Sequence, residues 1–359
     1  MYPGNPFIVL ALFCFLGADL VPASDPAAAS SRTIRVDRRG GADFATLSQA
    51  ASRLQPGDTL QIAPGSGPYR ETLQINCSGR EDAPVIVDGG GELVTGFEPL
   101  TSFHQEGDQW VCDLPVPFPC VLTYRGERLR QDAKTAQFTK YATLSPDGKR
   151  IILKNDATPD GWEISTRDAA VRIQNVSHHV YRNIRASGCL NDGFNLHGSG
   201  EGLLFENIEA FQNLDEGFSA HDQISCEIRH GNFWDNDNGI GNVPSSRISV
   251  IHALVHDNLG WGVWFSRETT ATLSDVKSWG NGMSQYRFDS ASAISGDNLL
   301  AGDVPPTRQW LSYKESQDMD QPRAVQIDRS RYSGPPPKIC PPEAFPNAAP
   351  EQGPVSAPR

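Results

Sequence analysis

One phrase recurs through the middle of the chain: Asn191-Asp192-Gly193-Phe194, Asp215-Glu216-Gly217-Phe218, Asp237-Asn238-Gly239-Ile240 and Gly260-Trp261-Gly262-Val263. Its glycines lie 24, 22 and 23 residues apart. Upstream of each copy runs a second apolar segment (Val180 to Ala186, Leu203 to Ala210, Cys226 to Phe233, Ile248 to Val255), with Asn213, Asn236 and Asn258 in the turns that follow. A period near 23 with short strands and Gly/Asn corners predicts a parallel β-helix, in which each coil buries its apolar face only against its neighbours. A propeller blade needs roughly twice that period, and leucine-rich repeats need a Leu/Asn spacing that is absent.

The rest of the chain is read around this core. With 33 Gly and 27 Pro in 359 residues, a helical bundle is excluded in favour of a turn-rich β protein. The balance of 43 acidic residues against 31 Lys and Arg, a net charge of -12, excludes general nucleic-acid binding and an anionic membrane surface. Phe7 to Leu16 is an apolar run too short to span a bilayer, so residues 1–23 are read as a signal peptide and the protein as secreted or periplasmic, without membrane insertion. Residues 33–96 are expected to hold an N-terminal capping helix, with Phe44, Leu47, Ala51 and Leu54 on one face and Asp43 as N-cap, followed by the first coils. Residues 97–170 read as a β-rich insertion and 171–300 as the main repeats. Residues 301–359 hold 12 of the 27 prolines and read as an extended strap and a disordered tail. Six cysteines remain after cleavage, in no metal-binding spacing. Cys112 with Cys120 is the favoured disulfide, and several of the others read equally well as buried thiols.

Stacking places equivalent residues one inter-strand spacing apart, about 4.8 Å. Alternation turns Phe194, Leu196, Phe218 and Ala220 inward and Asn195, His197, Ser219 and His221 outward, with His197 beside His221. At the preceding corner Asp192, Glu216, Asn238 and Trp261 form one column, and Asn191, Asp215, Asp237 and Gly260 the next. Carboxylates about 5 Å apart repel by roughly 3 kcal/mol at an effective dielectric of 20. A desolvated corner therefore requires a cation or a carboxyl that keeps its proton. Asp192, Asp215, Glu216 and Asp237 offer the oxygen ligands that suit Ca²⁺, the one cofactor expected, no organic cofactor being indicated. The plain alternative is that Asp and Asn simply make good corners. His221 and His197, with Glu216, Ser219 and Asp222 within one turn, are candidates for acid/base work, or else an exposed pair without a role. Trp261 and Trp264, read as outward, suit either a sugar platform or packing under the tail.

At this point the chain resembles the right-handed parallel β-helix proteins of the pectate-lyase-like superfamily over most of residues 33 to 300. Phe44-Ala45-Thr46-Leu47 and Gln55-Pro56-Gly57-Asp58-Thr59-Leu60 look like the capping helix and first coil of secreted members. The resemblance implies an all-β, right-handed solenoid. Gly217-Phe218-Ser219-Ala220-His221-Asp222-Gln223, continuing to Ile228-Arg229 and Asp235-Asn236, is similar to the active coil of mannuronan C5-epimerases. Those enzymes neutralise a uronate carboxylate, remove the C5 proton with one side chain and return it to the opposite face with another, so the resemblance gives His221 the base role. Glu216 stands in place of the family's tyrosine, Ser219 of an aspartate, Ala220 of a proline and Gly260 of an arginine, for which Arg247 and Arg267 are the candidate substitutes. Asp215-Glu216-Gly217-Phe218 also resembles the acidic corner of calcium-dependent lyases, although no lysine occurs between Lys154 and Lys277 to serve as their base. The sequence thus points to an exported, monomeric protein abstracting a proton from an acidic polysaccharide as a lyase or epimerase. The alternatives are a noncatalytic glycan-binding or surface β-helix and a glycoside hydrolase built on paired carboxylates.

Overall fold

The computed structural model describes residues 31–313 and 321–346. The signal peptide and the end of the tail expected from the sequence lie outside the described residues. Within them the chain winds as an all-β, right-handed solenoid. One face is a run of parallel strands in the order Thr33–Val36, Thr59–Ile62, Val85–Asp88, His179–Arg182, Ser199–Phe211, Gln223–Trp234, Arg247–Ile251, Thr270–Ser274, Ala293–Asp297 and Tyr332–Ser333. A second parallel sheet stacks Leu73–Gln74, Val171–Gln174, Phe194–His197, Glu216–Ala220, Asn238–Asn242, Trp261–Phe265, Ser284–Phe288 and Val325–Ile327. The period seen in the sequence is thus a spatial repeat: Phe194 pairs with Phe218, Phe218 with Ile240 and Ile240 with Val263, all fully buried.

Asparagines set the corner that leads into the second sheet. Oδ1 of Asn236 accepts from the backbone N–H (3.1 Å) and the amide (2.8 Å) of Asn213, and Asn258 and Asn281 repeat the pattern toward Asn236 and Asn258. Each amide satisfies buried backbone of the coil below, so the turn is the same height in every coil. The glycine of the repeated phrase is needed just beyond it. A Cβ on Gly217 would lie 2.8 Å from Asn236 Nδ2 and 2.9 Å from Gly239 O.

Among the described residues helix is nearly absent. The N-terminal helical segment is only Leu47–Ala51, and its cap is Thr46, whose side chain accepts from Gln49 N. Asp43 does not cap it, because its carboxylate is drawn to the backbone N–H of Arg35 (2.8 Å). Glu71 accepts from the N–H groups of Leu47 and Ser48 instead. Among the described residues no helix is long and apolar enough to cross a membrane.

Between Thr95 and Val171 the chain leaves the solenoid and builds two antiparallel sheets: Phe97–Pro99, Leu122–Tyr124, Glu127–Arg128 and Trp162–Ser165, then Phe103–Glu106, Gln109–Asp113, Ala142–Leu144 and Arg150–Leu153. They share a core that includes Trp162, Ile164, Phe138 and Ile151. Cys112 and Cys120 lie in that core as free thiols, not as the expected disulfide, and burial pushes Cys120 up to about 12. A strap returns over the insertion, where Ala133 N–H donates to Gln309 O and Leu311 N–H to Gln131 O, and the segment read as strap and tail then supplies a further coil, Val325–Ile327, Tyr332–Ser333 and Lys338–Ile339, paired in parallel with the one before.

Candidate functional site

The outward side of the second sheet carries a polar strip two coils deep. In one coil it runs Asp192, Asn195, His197, and in the next Glu216, Ser219, His221, with Asn195 paired to Ser219 in register. The amide Nδ2 of Asn195 donates to Asp192 Oδ2 (2.6 Å) and reaches His197 Nε2 (3.3 Å). Since one nitrogen makes both contacts, the carboxyl oxygen and the imidazole nitrogen lie within about 6 Å of each other. Ser219 Oγ sits 2.8 Å from His221 Nε2, and the two imidazoles stack 4.2 Å apart at 16°. Nδ1 of His197 lies 3.7 Å from Asp222 Oδ2, which also accepts from Gly198 N–H. With Asn195 donating to Nε2, the neutral His197 ring carries its proton on Nδ1, facing Asp222.

At the other end of the strip Asp192, Asp215 and Glu216 are buried and bring carboxylate oxygens within 4.8 Å of one another. Asp192 accepts from Glu216 N–H (3.1 Å) as well as from Asn195, and Glu216 from Asn238 Nδ2 (3.4 Å). Burial, reinforced by the charge of Asp215, nevertheless holds the Asp192 carboxyl well above the usual carboxylate range. His221 moves the opposite way. Burial first, then the charges of His197 and Arg267, lower it to about 4 against the pull of Asp222. The strip therefore sets a carboxyl whose proton affinity is raised at one end and an imidazole whose proton affinity is lowered at the other.

Gly241 makes room for Glu216. It occupies the outward column that holds Asn195 and Ser219 in the coils below, and the Glu216 side chain folds into the space its missing Cβ leaves. A Cβ there would meet Glu216 Cγ at 2.7 Å and Cδ and Oε1 at 2.9 Å. Gly241→Ala is expected to swing the carboxyl toward solvent, breaking its contact with Asn238, at a stability cost of about 1–3 kcal/mol. A crystal structure of the variant with Glu216 unmoved would refute this.

Other expected site residues are placed elsewhere. Asp237 does not join the three carboxylates, because its oxygens accept from the Ser312 hydroxyl (2.6 Å) and the Tyr313 N–H (3.0 Å) of the strap. It is wholly buried, and burial raises it to about 7. Behind it the fully buried guanidinium of Arg128, from the insertion, donates to the carbonyls of Asn213 and Asp235. Arg247 sits on the other sheet between Ser225 and Thr270, around the corner from His221; the cation whose charge acts on His221 is Arg267. Trp261 and Trp264 stand on the outer side of the sheet but are 2% and 7% exposed, so they are no open platform. Their rings pack 4.7 Å apart with Val243 and Met283, under Arg287 at 4.3 Å, and Arg308 of the strap reaches Met283. Sequence reasoning placed Asn195 outward without its bridging contact and missed the role of Gly241. Register alone shows the gap at Gly241; nothing in the repeat signals Arg128 or Ser312.

A family model described as the right handed beta helix region matches residues 140–277. No curated protein matches the sequence at a significant level. Among solved structures, XylC in complex with xylose aligns at 12% identity over 75% of this chain and 69% of that one, with a TM-score of 0.52. The pectate lyase Pel9A aligns at 13% identity over 85% and 79% with a TM-score of 0.47, and an alginate lyase from Paenibacillus sp. str. FPU-7 at 10% over 76% and 67% with a TM-score of 0.37. What the chain shares with XylC at this identity is architecture. By the family match and its own winding, the protein is a right-handed parallel β-helix.

Proposed function

We propose that this protein is an exported carbohydrate-active enzyme that moves a proton at a carbon atom of an acidic polysaccharide, in the manner of a uronate lyase or C5-epimerase. The observation that carries the reading is the strip itself: the Asp192 carboxyl in one coil and the His221 imidazole in the next, on one outward face, have environments that push their proton affinities in opposite directions, which is how acid and base roles are divided in one site. His221, neutral, accepts the proton from carbon. Asp192, with Glu216 beside it, holds the proton to be donated, and His197 fixes the position of His221 by stacking. Arg267 is the cation that pairs with the substrate carboxylate, needed because a chain of net charge -12 repels a polyanion.

The three buried carboxylates also fit a hard cation. In that variant of the reading Ca²⁺ at Asp192, Asp215 and Glu216 would take the place of the Asp192 proton and neutralise a uronate carboxylate, with the remaining ligands of its six to eight supplied by substrate and water. Calorimetry is expected to show Ca²⁺ binding that is lost in Asp215→Asn, and melting temperature should rise with Ca²⁺ because the ion binds only the folded chain. A flat titration removes the ion from the scheme and leaves Asp192 as the acid.

Two alternatives fare less well. With carboxylate oxygens within 4.8 Å of one another, the cluster lacks the roughly 6.5–9.5 Å separation that an inverting glycosidase needs to admit its water. A glycan-binding role without chemistry drew on outward tryptophans, and these are buried. Proton NMR of a panel of polyuronates in D₂O, with and without Ca²⁺, tests the proposal. Loss of the C5 proton signal means epimerase-type exchange, new unsaturated-uronate signals mean a lyase, and no change across the panel refutes both.

A further inference from the structure

A cavity of about 230 Å³ opens on the other flank of the turn column, where three parts of the chain meet. The solenoid contributes Trp234 and Asp235, the insertion Glu127, Arg130 and Lys140, and the strap Trp310. None of Asp192, Asn195, His197, Asp215, Glu216, Ser219 and His221 lines it, so it is not a continuation of the strip. We propose that it binds one neutral pyranose ring, a second glycan contact that does not rest on the reaction assigned to the strip.

Charge favours a neutral ligand. Arg130 Nη2 bonds Asp235 Oδ1 at 2.6 Å and Lys140 Nζ bonds Glu127 Oε1 at 2.6 Å, so these four side chains are matched in pairs, while the third cation of the lining, the buried Arg128, donates to the carbonyls of Asn213 and Asp235. Each pair sets a donor beside an acceptor. Asp235 accepts one further bond, from Gln212 Nε2 (3.2 Å), and Glu127 one from the Tyr141 hydroxyl. A carboxylate has about four lone-pair sites and an ammonium three protons, so both pairs retain capacity beyond these bonds. A sugar hydroxyl donates and accepts at once, and neighbouring hydroxyls on a ring match alternating donors and acceptors. A uronate carboxylate, an acceptor only, would face Glu127 and Asp235 with nothing to give them.

The walls suit the ring's C–H faces. Trp234 is fixed before any ligand arrives, stacked between Phe211 (4.7 Å, 4°) and His256 (6.4 Å, 9°) with its Nε1–H on Glu209 (2.9 Å), so it lends the cavity its ring edge. Trp310 brings a second indole, held under Arg130 at 5.6 Å. The volume falls below the roughly 300–1,000 Å³ of sites for drug-sized ligands, which limits the occupant to a single ring. A preformed aromatic wall with a few convergent polar groups is the usual make-up of a small-molecule site.

The test is saturation-transfer NMR and calorimetry on the full chain with methyl glycosides of glucose, galactose, mannose and xylose, and with methyl glucuronoside. At least one neutral glycoside should bind with a Kd on the order of 1–10 mM, and the uronate at least about tenfold more weakly. Trp310→Ala and Lys140→Met should each weaken binding by about fivefold or more, while His221→Ala should leave it unchanged, so that this site and the strip are read separately. Absence of binding by every neutral glycoside, tighter binding of the uronate, indifference to Trp310→Ala, or loss in His221→Ala would each overturn the proposal.

Discussion

Replacing His221 by alanine is expected to lower exchange or elimination at the uronate C5 position by about 10²–10⁴-fold, the range that a positioned base contributes. The fold should not suffer to match. His221 lies past the inward-facing Ala220, and its Nε2 contacts Ser219 on the outer side of the sheet, so its removal opens no cavity in the core. The pH profile gives a sharper readout than the rate. A base lowered to about 4 must be unprotonated to work, so kcat/KM of the wild type should rise with pH through about 4 and be level above it. The falling limb belongs to the acid: activity should decline as pH rises through the elevated pKa of Asp192, where the carboxyl loses the proton it must donate. His197→Ala separates positioning from chemistry. Because the charge of His197 holds His221 down, its removal should shift the acid limb to higher pH, by less than the full displacement, since burial is the larger cause. An unshifted limb with an unchanged rate would mean that the stacked rings are independent. A His221→Ala variant that still exchanges C5 at wild-type rate would end the base assignment.

What the sequence made legible follows from the geometry of a solenoid. Neighbouring coils touch through residues 22 to 24 positions apart, as in the Asn213–Asn236–Asn258–Asn281 ladder and the pairing of Phe194 with Phe218, so a period in the letters is a contact in space. The inward and outward sets and the His197–His221 pair could be read for that reason. Contacts that cross the period left no such trace. Ser312 reaches Asp237 across 75 residues and Arg128 reaches Asp235 across 107, and each changes the meaning of a corner that looks like its neighbours in sequence. Asp237 was therefore grouped with Asp215. Trp261 and Trp264 fell to the same cause: alternation fixes which side of a strand a residue occupies, but exposure depends on what lies above, here a strap arriving from beyond residue 300. The short helix is a smaller case, where competition between Arg35 N–H and the helix start for the Asp43 carboxylate was settled by a strand pairing.

Asn236→Ala should be among the most destabilising single changes on the surface of the core. The side chain is fully buried and makes four bonds: it accepts from Asn213 N–H and Asn213 Nδ2, and donates to Asn258 Oδ1 and the Ala210 carbonyl, both at 3.1 Å. Alanine removes the partner of two buried Asn213 donors and of the Ala210 carbonyl, all in the coil below, while Asn258 Oδ1 above keeps the Asn236 N–H. At roughly 1–3 kcal/mol for each unsatisfied group, with partial relaxation, the loss comes to about 3–5 kcal/mol. For a domain of this size that corresponds to a melting temperature lower by roughly 5–15 °C. Thr272→Ala, on the exposed side of the strand Thr270–Ser274, is the control and should stay within about 0.5 kcal/mol. Beyond the magnitude, the form of unfolding is informative. In a repeat protein stability is a sum of coil terms and nearest-neighbour couplings, so weakening one coupling partly uncouples the coils on its two sides. Hydrogen exchange should then show the coils from Asn236 onward opening at lower denaturant than those around Asp192, with the Glu216–Asn238 contact across that interface lost early. If Asn236→Ala costs less than about 1 kcal/mol and melts as one unit, the backbone ladder alone holds the register and the asparagines are not its determinants.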